Sequence, residues 1–351
     1  MPPVMGAGAY MMLEIIDPPV TFLQIVKAAI VPAILYFVAV FCAVHFEAKR
    51  TGLVGLSKPD LPRLGDVVKT RGHQFLPLVV IVAVLLSGYS PPYAALCGLL
   101  SVLPVALLGR TTRQDISWRT IYDSLITGIR NTLIVASACA SAGIVIGVIA
   151  QTGVGIEFTQ LISSGFSDGN MVLALVLTAL AGILLGMGLP TTPAYIVQAA
   201  LLAPALVNLG IAREAAHLFV FYYAILSVIT PPVAISLYAA NGISGAGLWE
   251  SGLAAVKLAA TGYIIPFMFV FGPSLLLIGS WSNIAWSVIT ALIGVICLSS
   301  SLHGYLLLPI RFLLRIVLFL AAMTLIAPGL PSDLVGLTLL GALLLQQKFS
   351  S

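Results

Sequence analysis

The sequence predicts an all-α polytopic membrane protein with broken helices, and three observations carry that prediction. The first is composition: of 351 residues, 60% are hydrophobic and only 8% charged, whereas soluble domains carry roughly 25% charged residues. Mean hydropathy is +1.11. The second is an alternation of long apolar runs, several able to cross a bilayer core of about 30 Å, with short basic segments. The third is a pair of interruptions inside apolar runs, Gly186-Met187-Gly188-Leu189-Pro190-Thr191-Thr192-Pro193 and Thr230-Pro231-Pro232-Val233-Ala234. Gly and Pro break the helical hydrogen-bond ladder, and hydrocarbon offers no water to replace the lost partners. Such backbone is tolerated at membrane depth only where protein covers it or it lines a cavity.

Composition also excludes several function classes. The net charge of +4 comes from basic residues in short loops between apolar runs, so it predicts a lipid-bilayer protein and no nucleic-acid partner. Cys42, Cys97, Cys139 and Cys297 stand singly on apolar segments, without CxxC or Cys/His spacing, and are expected to be buried small hydrophobes. The opening Met1-Pro2-Pro3-Val4-Met5-Gly6 lacks the basic-then-apolar pattern of a signal peptide.

In chain order, residues 1–19 read as a broken helix and a turn, and residues 20–44 as a span kinked at Pro32. Residues 45–74 hold Lys49, Arg50, Lys58, Arg63, Lys69 and Arg71 against three acids and read as a cytoplasmic loop. Residues 75–108 are interrupted at Gly88–Pro92 and are expected to form two short helices. A second basic loop, 109–130, leads to a span at 131–151 rich in small residues that favour close helix packing. A polar loop covers 152–169. Two apolar arms, 170–185 and 194–208, flank the first break. Each is too short to span comfortably and the right length for half-depth, so the pair reads as a re-entrant hairpin. Gly182 and Gly186 have the spacing of a packing face. Asn208, Arg213, Glu214 and His217 mark the return to an interface, with His217 expected at a loop end. Residues 218–229 and 233–240 flank the second break, a loop runs from Asn241 to Glu250, and spans follow at 253–277, 279–301, 305–327 and 334–346.

The chain carries an internal echo. Pro2-Pro3-Val4 recurs as Pro231-Pro232-Val233, 229 positions on, and Lys27/Lys257, Ala29/Ala259, Phe37/Phe267 and Phe41/Phe271 recur 230 positions on. An ordered series of this kind predicts a duplicated unit, which in transporters commonly has inverted topology. The second copy is preceded by the hairpin at 170–208, whereas the first begins at residue 2. The chain is therefore expected to be the C-terminal portion of a larger permease with an incomplete first repeat. The expected organisation is the end of a first repeat at 1–44, a basic loop at 45–74, a second repeat at 75–278 and added helices at 279–351.

These residues resemble the large membrane subunit (the DctM-like component) of TRAP, tripartite ATP-independent periplasmic, transporters in the fused-permease form. The resemblance rests on Gly186–Thr192, Ala203-Pro204-Ala205-Leu206, Ile229–Val233 and the echo Pro2–Ala7. The tail from Gly304 to Gln347 is similar to the extension on TAXI-associated members. The resemblance implies an elevator-type secondary transporter of small organic acids (carboxylates) in a bacterial inner membrane. It also implies sodium as coupling ion, no other cofactor, and an extracytoplasmic substrate-binding protein as partner, together with a small membrane subunit or the missing N-terminal permease half. Carried over, Gly186, Gly188, Pro190, Thr191, Thr192, Thr230, Pro231, Pro232 and Ala234 would form a sodium and substrate site, and Pro2, Pro3 and Gly6 the remnant of its first-repeat counterpart.

The residue types agree with that chemistry. Broken helices free backbone carbonyls, and the hydroxyls of Thr191, Thr192 and Thr230 add neutral oxygens suited to sodium; Ser227, Ser236, Tyr238 and Asn241 stand in a second line. Buried acids or histidines normally mark proton relays, whereas Glu14, Glu157, Glu214 and Glu250 fall near predicted ends. No HExxH motif or pair of span aspartates points to an enzyme, and the repeat favours alternating access over a channel.

Overall fold

The computed structural model describes residues 7–55, 61–109, 113, 116–154, 156–157, 160 and 171–349. The described residues are helices and turns, apart from an isolated bridge between Tyr305 and Pro309. Seven helical segments among them are long and apolar enough to cross a membrane, so the chain is an all-α polytopic membrane protein. It divides into a smaller unit, Val20–Gln24 with Val54–Ser137, and a larger one, Met1–Pro19 with Ile25–Leu53 and Ala138–Ser351.

We number the helices α1 (Ala7–Ile15), α2 (Phe22–Thr51), α3 (Leu64–Arg71), α4 (Leu76–Leu86), α5 (Pro91–Leu108), α6 (Trp118–Thr152), α7 (Met171–Gly186), α8 (Thr191–Asn208), α9 (Arg213–Leu226), α10 (Ile235–Ser244), α11 (Leu248–Ala259), α12 (Ile265–Phe271), α13 (Trp281–His303), α14 (Phe312–Ile326) and α15 (Leu330–Phe349).

In the smaller unit the expected hinge is present. Gly88 turns the chain at φ +86°, and Pro91 and Pro92 open α5, where a missing N–H costs nothing. A Cβ on Gly98 would lie 2.4 Å from the Ile81 side chain, so this glycine lets α5 lie against α4. The basic segments are less loop-like than expected. Helix α2 runs on through Thr51, and α3 with a 3₁₀ turn at Gly72–Phe75 occupies the end of the 45–74 stretch. Helix α6 starts at Trp118, placing Arg119 and Arg130 on a helix. No proline falls between Trp118 and Thr152, so nothing interrupts the ladder there; charge composition alone is a poor guide to a helix end.

The larger unit holds the apolar core. Helices α7, α8 and α9 pack on one another, and α1 seats on α8. A Cβ on Gly8 of α1 would lie 2.5 Å from the Phe221 ring, and Arg213 Nη1 donates to the Asp17 carbonyl at 2.6 Å. The expected span at 253–277 is not one helix: it divides into α11, a 3₁₀ turn at Ala260–Tyr263, α12 and a second 3₁₀ turn at Pro273–Leu276. Gly262, Pro266, Gly272 and Pro273 punctuate it. Its counterpart in the sequence echo, α2, stays continuous through Pro32. The two echoing stretches touch where a Cβ on Gly262 would lie 2.6 Å from the Tyr36 ring. The expected loop Asn241–Glu250 shrinks to the turn between α10 and α11, made by Gly245 at φ +70°. Of the four cysteines only Cys297 is buried, the others being half-exposed, because their helices turn part of that face outward.

Helices α13, α14 and α15 run up, down and up around Cys297, Leu298, Leu318, Ala322, Leu325 and Leu343. Helix α14 starts at Phe312 rather than near 305, because the chain folds back at Tyr305–Ile310, with Ile310 N–H donating to Gly304 O at 2.8 Å. Arg315 closes the end of α13 by donating from Nε to Ser301 O and from Nη2 to Leu302 O, both at 2.8 Å, satisfying carbonyls that a helix end leaves unpaired. Hydrogen bonds from a charged donor contribute about 1.5–3 kcal/mol. Arg315→Met, which keeps the apolar stem, should lower the melting temperature of the detergent-purified protein by several degrees; an unchanged melting curve would show that this cap does not hold the array.

Candidate functional site

The first break is shorter than the sequence suggested. Helix α7 ends at Gly186, α8 begins at Thr191 with Pro190 as its N-cap, and the non-helical tip is Met187–Pro190. Thr191 and Thr192 are therefore the first residues of a helix rather than loop residues; Pro193 fits because its missing N–H falls in the first turn, where no intrahelical acceptor exists. Gly188 takes φ +80°, a conformation that an L side chain rarely adopts.

The second break runs from Ser227 to Ala234. Overlapping turns, Val228 N–H to Ile225 O, Ile229 N–H to Leu226 O and Thr230 N–H to Ser227 O, unwind the end of α9. The Pro231–Pro232 bond is cis. Ala234 sits at φ 41° as the N-cap of α10 and is 4% exposed. For a residue with a Cβ this left-handed conformation costs about 1–3 kcal/mol, and it persists because the buried surroundings hold it. In both breaks the prolines bring no N–H, so carbonyls outnumber donors.

The two breaks face each other. A Cβ on Gly188 at the tip would lie 3.9 Å from Val233 Cγ1 in the second break. One turn deeper, a Cβ on Gly186 would lie 2.3 Å from Ser227 Oγ and 2.6 Å from Gln198 Nε2. On the same face of α7, a Cβ on Gly182 would lie 3.1 Å from both Gln198 Oε1 and Tyr223 Cβ. The glycine spacing read as a packing face is thus the seam along which α7 meets α8 and α9.

Thr230 is held in place on two sides. Its hydroxyl donates to Leu226 O at 2.7 Å, so the contact with Tyr263 Oη, also 2.7 Å, is one in which Tyr263 donates. One lone pair of Thr230 Oγ1 then stays free. Tyr263 lies on the 3₁₀ turn at Ala260–Tyr263, and its own carbonyl accepts from Tyr223 Oη at 2.6 Å. Nothing in the spacing of Tyr263 signals this role. The sequence offered a smooth span there, and only its unwinding brings the ring to Thr230. Thr191, Thr192 and Thr230 are all partly exposed at the breaks.

Gln198 is the other residue that sequence reasoning missed. It is 0% exposed on α8, and neither end of its amide has a hydrogen-bond partner among the described residues. Thr178, on the Gly182–Gly186 face of α7, is 1% exposed and also unpaired. A polar residue flanked by Val197, Ala199 and Ala200 was the one available signal. Burying an amide without a partner costs about 1–3 kcal/mol in proteins.

Among the second-line residues, Ser227 is buried and donates to Ala224 O at 2.8 Å. Ser236 and Tyr238 are exposed, Tyr238 at 57%. Asn241 lies on α10, not in a loop, with both side-chain atoms buried and unpaired. His217 is not a loop-end residue. It is buried on α9, with Nδ1 2.8 Å from Tyr195 Oη on α8, because α9 starts at Arg213 and turns His217 inward. Pro2, Pro3 and Gly6 lie outside the described residues. Among the described residues no group of three His, Cys, Asp or Glu could hold a metal ion.

The seam makes a sharp prediction. Gly186→Ala would drive a methyl into Ser227 and Gln198 and should lower the melting temperature, whereas Ala234→Gly should raise or preserve it by relieving a left-handed alanine. Thermal unfolding of both variants in detergent checks the pair, and a neutral Gly186→Ala would show that the helices do not meet as described.

Matched against models of protein families, residues 1–284 fit the tripartite ATP-independent periplasmic transporter, DctM component, a match that spans both breaks and ends early in α13. No curated protein and no solved structure matches the chain. With four-fifths of its length matched and helices fit to span a bilayer, the chain belongs to the DctM family, the multi-pass permease component of tripartite ATP-independent periplasmic transporters.

Proposed function

We propose that the facing breaks form a sodium and substrate site, and that the chain imports small carboxylates across a bacterial inner membrane by an elevator-type, sodium-coupled cycle. An extracytoplasmic binding protein would deliver the substrate, with a small membrane subunit as further partner. The observation that carries this reading is the apposition of Gly188 and Val233. It sets two interrupted helices against each other, as ion-coupled transporters arrange theirs.

The chemistry follows from the ends that meet there. The C-terminal ends of α7 and α9 present carbonyls, and Thr191, Thr192 and Thr230 present hydroxyls. These are hard, neutral oxygens that suit an alkali cation. The N-terminal ends of α8 and α10 carry partial positive charge, which would favour a carboxylate beside the bound cation. Bound sodium neutralises the carboxylate and closes the tip over the break, so movement of the loaded site becomes less costly than movement of either charge alone. Gln198 and Ser227, behind the tip, would sense that closure through the α7 seam.

Two measurements test the proposal in proteoliposomes reconstituted with a cognate binding protein. Thr191→Ala and Thr230→Ala should each raise the sodium concentration for half-maximal uptake by about tenfold, the effect of losing about 1.4 kcal/mol of cation binding. A sodium requirement equal to wild type in both would remove these residues as ligands. Gln198→Leu should move stability and transport in opposite directions, raising the melting temperature while weakening sodium dependence. If it raises stability and leaves sodium dependence intact, the amide has no part in coupling.

A further inference from the structure

The C-terminal array contains a cavity that the sodium reading does not use. It has a volume of about 630 Å³ and opens between the 3₁₀ turn Pro273–Leu276, the first turns of α13, the end of α14 and the start of α15. One wall is apolar, with Met268, Leu275, Leu325 and Ile326; the other carries Asn283, Trp286, Ser287 and Asp333. Eleven of its eighteen lining residues, Asp333 and Trp286 among them, lie beyond the residues that match the family.

Asp333 is the unusual group. It is 3% exposed, yet it lines the cavity. Its Oδ2 accepts from Trp286 Nε1 at 2.7 Å, and its place in the first turn of α15 adds a favourable helix-end field. Ser287 is already engaged, since Ser274 Oγ donates to its hydroxyl at 2.8 Å. No lysine, arginine or histidine is among the residues lining the cavity. A buried carboxylate held by one neutral donor and a helix end remains short of the pairing that burial of a charge demands.

The size and lining decide what could complete it. A bare calcium or magnesium ion wants six or more oxygens, several of them charged, and one carboxylate beside an apolar wall does not supply them. A cavity of this volume falls instead in the range of organic ligands, about 300–1,000 Å³. Indole rings favour organic cations. We propose that this cavity binds an organic ammonium group, its N–H donors on Asp333 and its apolar body along Leu325 and Ile326. The ammonium could belong to a phosphatidylethanolamine headgroup or to a free amine. The position suits both sources. Arg311, Arg315 and Lys348 all lie at the opposite end of the array, and exposed Trp281 marks the cavity end as interfacial.

Asp333→Asn separates a ligand site from a simple strut, because asparagine still accepts from Trp286 but carries no charge. The full chain in non-ionic detergent and amine-free buffer would be titrated with 2-phenylethylamine, and with 2-phenylethanol as the neutral control. Separately, nanodiscs of phosphatidylethanolamine would be compared with nanodiscs of phosphatidylglycerol. We expect the amine, but not the alcohol, to raise the melting temperature saturably, or phosphatidylethanolamine to do so over phosphatidylglycerol. Asp333→Asn should weaken either response at least tenfold with little change in unliganded stability. A response in the nanodisc arm alone assigns the lipid, and one in the soluble arm alone a free amine. No response in either arm, or an equal response in Asp333→Asn, overturns the proposal. Should that variant not fold, equal stabilisation of the wild type by amine and alcohol, with no preference for phosphatidylethanolamine, overturns it as well.

Discussion

Backbone that leaves the helical ladder inside a bilayer must be covered by protein, and the seam along α7 is how this chain meets that constraint. Gly182 and Gly186 strip one face of α7 to the backbone, so that Gln198, Tyr223 and Ser227 approach to within a Cβ's breadth. Side chains at those two positions would hold α7 off α8 and α9. The close approach is driven by dispersion contacts and by the absence of anything larger at the interface, since lipid tails are as apolar as leucine. Tyr223 on α9 is buried at this contact, whereas Phe219, Phe221 and Tyr222 pack on Phe267, on Gly8 and Tyr195, and on Tyr36 and Phe269.

The seam also explains why polar side chains are stranded there. Thr178 and Gln198 are buried and unpaired, and a site optimised only for stability would carry aliphatic residues instead. Groups that raise the energy of one arrangement can favour another. This is the setting in which a transporter's hairpin would need to move against a broken helix. The strained Ala234 is buried, and Thr230 is held by Leu226 at the end of α9 and by a tyrosine on a segment that itself unwinds.

The C-terminal array is organised differently. Its helices are continuous, its register is fixed at both ends by side-chain to helix contacts, Trp286 to Asp333 at one end and Gln347 to the backbone of Leu307 and Leu308 at the other, and its core is aliphatic. The C-terminal array and the broken-helix region are therefore built from one composition, and they differ in where glycine, proline and small polar groups fall.

By itself the sequence determined the fold class, the family and the places where helices break, because hydropathy, proline and glycine act locally and need no partner to be read. Gly88–Pro92, Gly186–Pro193 and Thr230–Ala234 were all legible in this way, although the structure shortens the first of the two facing breaks to Met187–Pro190 and begins the second at Ser227. Helix ends in charged stretches were not: α2 and α6 run through residues whose composition suggested loops, since a helix backbone is satisfied internally whatever its side chains. Only the tertiary structure decided that 253–277 unwinds, that Tyr263 thereby reaches Thr230, that His217 turns inward to Tyr195, and that Gln198 and Asp333 are buried. Each of those facts depends on which face of a helix meets which neighbour, and that is settled by packing between segments far apart in the chain.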